Sequence, residues 1–149
     1  MNEEHYRKLE RMYLGAPCNA YYNPEVHIGE GCAEIRIPVE EKLFHAAGAV
    51  HGAAYFKAAD DAAFFAANSL VEACFVLTTN LNLYLERPIN TGVIIGRAKV
   101  LFQSRTLITV ESVLTDGEDN EIGRATGSFF ATSRIPLTAE IGYVLPEEV

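Results

Sequence analysis

The sequence predicts an α+β domain in which one long helix lies against a curved antiparallel sheet of about five to six strands. Three observations carry that reading. Residues 53–70, AAYFKAADDAAFFAANSL, contain neither Gly nor Pro and are dominated by Ala, the strongest helix former. Beyond them, apolar and polar residues alternate with the period of half-buried strands over four successive stretches. The last stretch carries small residues, Gly123, Ala125 and Gly127, which would let a helix lie close to a sheet.

Taken in order, residues 2–14 mix charge with Leu9, Met12 and Leu14, as a short amphipathic helix does, and Gly15-Ala16-Pro17 ends it. Residues 33–39, AEIRIPV, alternate as a strand. Residues 43–52 are rich in Ala, Gly and His and read as a loop leading into the long helix. That helix is apolar over most of its circumference, so other parts of the molecule must wrap it. Leu77, Thr79, Leu81, Leu83 and Leu85 are then expected on one face of a strand, and Ile94, Gly96, Ala98, Val100 and Phe102 on one face of the next. Ile108, Val110, Ser112 and Leu114 continue the pattern, and a turn at residues 116–120 precedes Gly123, Ala125, Gly127, Phe129 and Ala131. No repeat, low-complexity tract or linker divides the chain, and residues 1–149 are expected to form a single domain.

Composition narrows the function. Lys and Arg number 12 against 20 Asp and Glu, a formal charge of −8 with an isoelectric point near 4.9. That balance argues against a nucleic-acid binder, which needs a basic face to displace counterions, and against an anionic membrane surface. A small anionic ligand needs only a few well-placed cations and stays open. Cys18, Cys32 and Cys74 form no C-x-x-C pair and read as free thiols of a reducing compartment. The start carries no basic region leading into an apolar stretch, and no window reaches the ~20 apolar residues of a spanning helix. A cytoplasmic protein is expected.

The chemistry concentrates at the start of the long helix and along it. A glycine-ended loop at a helix N-terminus presents free N–H groups that suit a carboxylate, a phosphate or a developing oxyanion. Gly52 holds that place, or simply eases the turn. Asp61 has Lys57 four residues before it, the spacing of an ordinary exposed pair. Asp60 has Phe56, Ala63, Phe64 and Ala67 on its stripe and no cation four residues away; Lys57, three before it, stands at the i,i+4 spacing to Asp61. Burial there is costly and raises a carboxyl toward the range of a general base; the alternative is a local cap, or a place facing water at a subunit junction. His5, His27, His45 and His51 include no H-x-x-x-H pair, so no metal site is expected. Neither a G-x-S-x-G elbow nor a phosphate-binding P-loop is present.

The pattern His45-x-x-Gly48-x-x-His51-Gly52, with Asp60 nine positions after His51, resembles the signature of hotdog-fold acyl-CoA thioesterases, in particular the phenylacetic-acid-pathway group. Residues 60–69, DDAAFFAANS, and 78–88, TTNLNLYLERP, resemble the same group, and the likeness covers roughly residues 30–135. Two positions depart from it: Ala53 replaces a second glycine, and His45 stands where Asn is common. The resemblance implies a hotdog fold, pairing of two copies, or two such pairs, and a site at the interface. It implies hydrolysis of a small acyl- or aryl-CoA, with coenzyme A as part of the substrate and no separate cofactor. By it, Asp60 is the base or nucleophile and Gly52 the oxyanion donor, with His45 and Thr78 orienting groups. His51, Arg87 and Arg105 fall where substrate is bound. A hotdog protein that binds acyl-CoA without hydrolysing it, as a sensor, is the competing expectation.

Overall fold

The computed structural model describes residues 2–148. Helix α1, Glu3–Leu14, starts where the Asn2 side chain accepts a hydrogen bond from the His5 amide, and it carries Glu3 and Glu4 in its first turn. It buries His5, Tyr6, Leu9, Met12 and Tyr13, one stripe at helical spacing. A single turn, α2 (Asn19–Tyr22), leads into a hairpin of β1 (Glu25–Gly29) and β2 (Cys32–Pro38), whose turn uses Gly31 at φ +66°. The long helix α3 spans Gly52–Asn68, and β3 (Leu77–Leu85), β4 (Val93–Gln103), β5 (Leu107–Thr115) and β6 (Glu121–Phe130) follow.

The six strands form one antiparallel sheet in the order β1-β2-β4-β5-β6-β3. Helix α3 packs across it, most extensively on β4, β2 and β5. The α+β architecture expected from the sequence is the one observed. Among the described residues no helix is long and apolar enough to cross a membrane.

The core differs from the sequence reading in three places. First, the glycine that admits the helix is Gly96 on β4, where an added Cβ would lie 2.8 Å from the Ala58 carbonyl oxygen. Gly123 and Gly127 on β6 instead make room for β3, with added Cβ atoms 3.1 Å from Tyr84 O and 2.9 Å from Asn80 O. Second, bulges shift the register between Val100 and Phe102 and between Thr78 and Asn80, so period two fails across them. Phe102 is therefore exposed rather than in line with Ile94 and Ala98. Third, Leu77 and Leu85 are also exposed, because β3 is an edge strand; only Leu81 and Leu83 of its apolar face are half-buried.

The two sheet edges are finished differently. At β1 the outward amide and carbonyl of Ile28 are taken by the Glu10 carboxylate (2.7 Å) and the Arg7 guanidinium (2.6 Å) of α1. Side chains thus blunt that edge. At β3 no strand lies on the outer side among the described residues.

Candidate active site

Helix α3 runs antiparallel to β3, and this fixes what each end of the sheet holds. At one end Asp60, at the middle of α3, accepts a hydrogen bond from the Thr78 hydroxyl at 3.0 Å. At the other, Gly52 faces Leu85; a Cβ on Gly52 would come within 3.1 Å of Leu85 Cδ1.

Asp60 is mostly buried beside Phe64. Burial pushes its carboxyl up from 3.8 to about 6; the Thr78 hydroxyl opposes the rise, the Asp61 charge adds to it, and Lys57 opposes it. Asp61 is not the exposed surface partner of Lys57 expected from spacing. The pair, at 2.6 Å, leaves the two side chains only 13% and 17% exposed, and Asp61 also accepts from the Tyr13 hydroxyl at 2.5 Å. Helix α1 covers the pair, which the i,i+4 spacing could not reveal. Burial first, and then the Asp61 charge, push the Tyr13 hydroxyl up, so it stays a protonated donor.

The start of α3 is built to leave one donor free. His51 is its N-cap and accepts the Ala53 amide on Nδ1 at 2.9 Å. The Gly52 N–H has no acceptor among the described residues. The loop before it is held by His51 N–H to Leu43 O (2.8 Å), Val50 N–H to Ile89 O (3.0 Å) and His45 N–H to Ala49 O (2.9 Å). His45 is exposed, and its Nδ1 accepts from the Ala47 amide of its own loop.

Arg87, exposed just beyond β3, lies near the Gly52 end, where its carbonyl accepts from Tyr55 of α3 at 2.7 Å. Arg105 lies in the turn between β4 and β5, exposed, at the Thr78 end. One chain therefore brings Asp60 and Thr78 together and keeps Gly52, His51, His45 and Arg87 apart from them. Eight residues of helix separate Gly52 from Asp60, about 12 Å. In front of Asp60 and Thr78 opens a groove of about 910 Å³. Among the described residues no group of three or more His, Cys, Asp or Glu side chains is placed to hold a metal ion, and all three cysteines are free.

Comparison with known proteins gives the family and the fold. The family model of the thioesterase superfamily matches residues 47–122, just over half of the 149. The chain belongs to the thioesterase superfamily. That membership carries the class of reaction, hydrolysis of a thioester, in general terms. A curated relative in Thermoplasma acidophilum, named "Putative esterase Ta0293", is 24% identical over 104 residues, 70% of this chain and 79% of the relative. One in Saccharolobus solfataricus, "Putative esterase SSO2140", is 27% identical over 105 residues, 70% of this chain and 75% of the relative. The solved PaaI protein from the phenylacetic acid degradation operon of E. coli superposes with a TM-score of 0.78 at 16% identity, over 88% of this chain and 97% of that one. A thioesterase family protein from Silicibacter pomeroyi gives 0.78 at 24% identity, over 85% and 96%. These likenesses show that the fold is the hotdog of this superfamily.

Proposed function

We propose that this superfamily member is an acyl-CoA thioesterase whose active site is completed by a second copy of the chain. The observation that carries the reading is the opposition of α3 and β3. Gly52 lies at the Leu85 end of β3 and Asp60 at the Thr78 end, and β3 is a free edge. Antiparallel pairing of β3 with itself about a two-fold axis sets the Leu85 end of one copy beside the Thr78 end of the other. The free Gly52 amide of one protomer then approaches Asp60 of its partner. The same operation brings the Arg87 end of one copy toward the Arg105 end of the other, two cations for the phosphates of CoA.

At such a site the thioester carbonyl oxygen accepts from Gly52 N–H, which strengthens its hold as negative charge develops; one such donor is worth roughly 3–4 kcal/mol. Asp60 removes a proton from the water that attacks the carbonyl carbon, or attacks that carbon itself to form an anhydride that water then hydrolyses. The carbon–sulfur bond breaks, CoA leaves as the thiol, and the acyl group leaves as the carboxylic acid. Thr78 holds the Asp60 carboxylate, His51 caps the helix that presents the donor, and His45 borders the same loop. Burial raises the Asp60 carboxyl enough to take a proton, against the opposing charge of Lys57.

Subunit complementation tests the reading. Gly52 is the first residue of α3, and His51 before it is already extended at φ −65° and ψ 144°. Proline therefore fits the backbone there and removes the N–H, while its Cβ meets only the tip of the flexible Leu85 side chain. Gly52→Pro and Asp60→Asn homodimers are each expected to be nearly inactive. Unfolding and refolding them as an equal mixture should restore about a quarter of wild-type activity, since half the dimers then hold one intact site of two. No recovery from two folded, dimeric variants overturns the shared site.

A further inference from the structure

The groove in front of Asp60 has a floor and two walls of different origin. Phe64 of α3, Phe75 and Leu77 form the side nearest the carboxylate. Met12 of α1 and Ile141 of the C-terminal segment form the far side, Ile135 joins the two sides where its carbonyl accepts from the Phe75 amide at 2.8 Å, and these three lie outside residues 47–122 matched by the family model. We infer that this groove is an acyl-binding trough for thioesters of apolar acyl groups well beyond acetyl in size, and that Met12, Ile135 and Ile141 set the length it accepts. The inference rests on the thioesterase reading for its substrate and names what that substrate carries.

Two features support it. Ile135 and Ile141 are each 40% exposed although apolar, both lining one groove that also holds the Asp60 carboxylate. An alkyl or aryl group covers such surface, and water does not. The volume of about 910 Å³ is at the upper end of the ~300–1,000 Å³ usual for small-ligand sites, far more than an acetyl group fills.

The far wall is a built one. The Tyr143 hydroxyl and His5 Nδ1 lie 2.6 Å apart, and His5 Nε2 lies 2.8 Å from the Asn68 carbonyl at the end of α3. Since a carbonyl only accepts, the His5 Nε2 carries the proton and Nδ1 accepts from Tyr143. Gly142, at φ +92°, lets the segment pass so close to α1 that an added Cβ would lie 3.3 Å from Met12 Cα. The C-terminal segment is thereby fixed against α1 rather than laid loosely over the groove.

The test uses Ile141→Trp and Ile135→Trp, both at positions exposed enough to take a larger ring, with circular dichroism to confirm folding. Hydrolysis of octanoyl-CoA and acetyl-CoA is measured beside calorimetric binding of the inert thioethers S-octyl-CoA and S-ethyl-CoA. Each variant is expected to lose about tenfold or more in kcat/KM and in affinity on the octyl compounds. Each should stay within about twofold of wild type on the two-carbon ones. Equal losses on both lengths, no loss on either, or a wild-type preference for acetyl overturns the inference. If neither thioester is hydrolysed but S-octyl-CoA binds with this variant pattern, the hydrolase reading falls and the trough stands.

Discussion

Asp60 and Asp61 are neighbours in sequence with opposite surroundings. Asp60 faces Phe64 and the groove with one hydroxyl donor, whereas Asp61 is spent on Lys57 and Tyr13. Asp60→Asn is expected to lower kcat on an acyl-CoA by about 10²-fold or more. Asp61→Asn should keep most of the turnover at pH 8. The pH profile separates them further. A working carboxylate must be ionised, so kcat/KM should rise with pH through about 6, where burial has placed the Asp60 carboxyl. Thr78→Val removes a donor that favours the charged form, and the rise should move to higher pH. Asp61→Asn removes a neighbouring negative charge and leaves Lys57 uncompensated, and the rise should move to lower pH. An unchanged profile in both variants would separate Asp60 from the rate. Asp60 was legible in the sequence because its stripe is Phe and Ala and Lys57 stands at the i,i+4 spacing to Asp61 instead. The burial of Asp61 was not, since Tyr13 lies 48 residues away and no local spacing records it.

The elements were legible wherever a period ran unbroken. Ile108, Val110, Ser112 and Leu114 are all fully buried, and Ser112 donates to the Ala59 carbonyl of α3 at 2.7 Å, a tie between sheet and helix. Strand β1 was missed because its five residues bury one side chain, Ile28, too few to show an alternation. The bulges in β3 and β4 were invisible for the same reason a slip is: one extra residue reverses the faces that follow. The close contact at Gly96 makes a sharp prediction at this scale. An alanine there must push against the Ala58 carbonyl, which is backbone and cannot rotate away. Gly96→Ala should cost on the order of 1–3 kcal/mol in urea unfolding. Gly52→Ala, which meets only the tip of Leu85, should cost much less. Equal stability of the two would show that α3 can lift off β4.

At the scale of the molecule, one edge of the sheet is closed by Arg7 and Glu10 while the other, nine residues of β3, is open. Open edges of that length invite pairing. Multi-angle light scattering at micromolar concentration should find a dimer or a pair of dimers. A stable monomer that retains full thioesterase activity would contradict both the pairing and the shared site. The expectation of a paired copy came from the family resemblance, and which sheet edge would serve did not follow from the sequence. That depends on the order of strands, and no single strand carries it.

The His5–Tyr143 contact joins residues 138 positions apart, and this has a consequence during protein synthesis. When α1 leaves the ribosome, the imidazole of His5 has neither Tyr143 nor Asn68 to meet, and the helix waits with its buried stripe uncovered. Strands β1 to β6 can be complete before the segment around Tyr143 has emerged. The wall that α1 and the C-terminal segment share is therefore begun first and completed only after the helix that carries Asp60 and the strand that carries Thr78 have been made. A ribosome that stops short of Tyr143 releases a chain with Asp60 and Thr78 both made and that wall left unfinished.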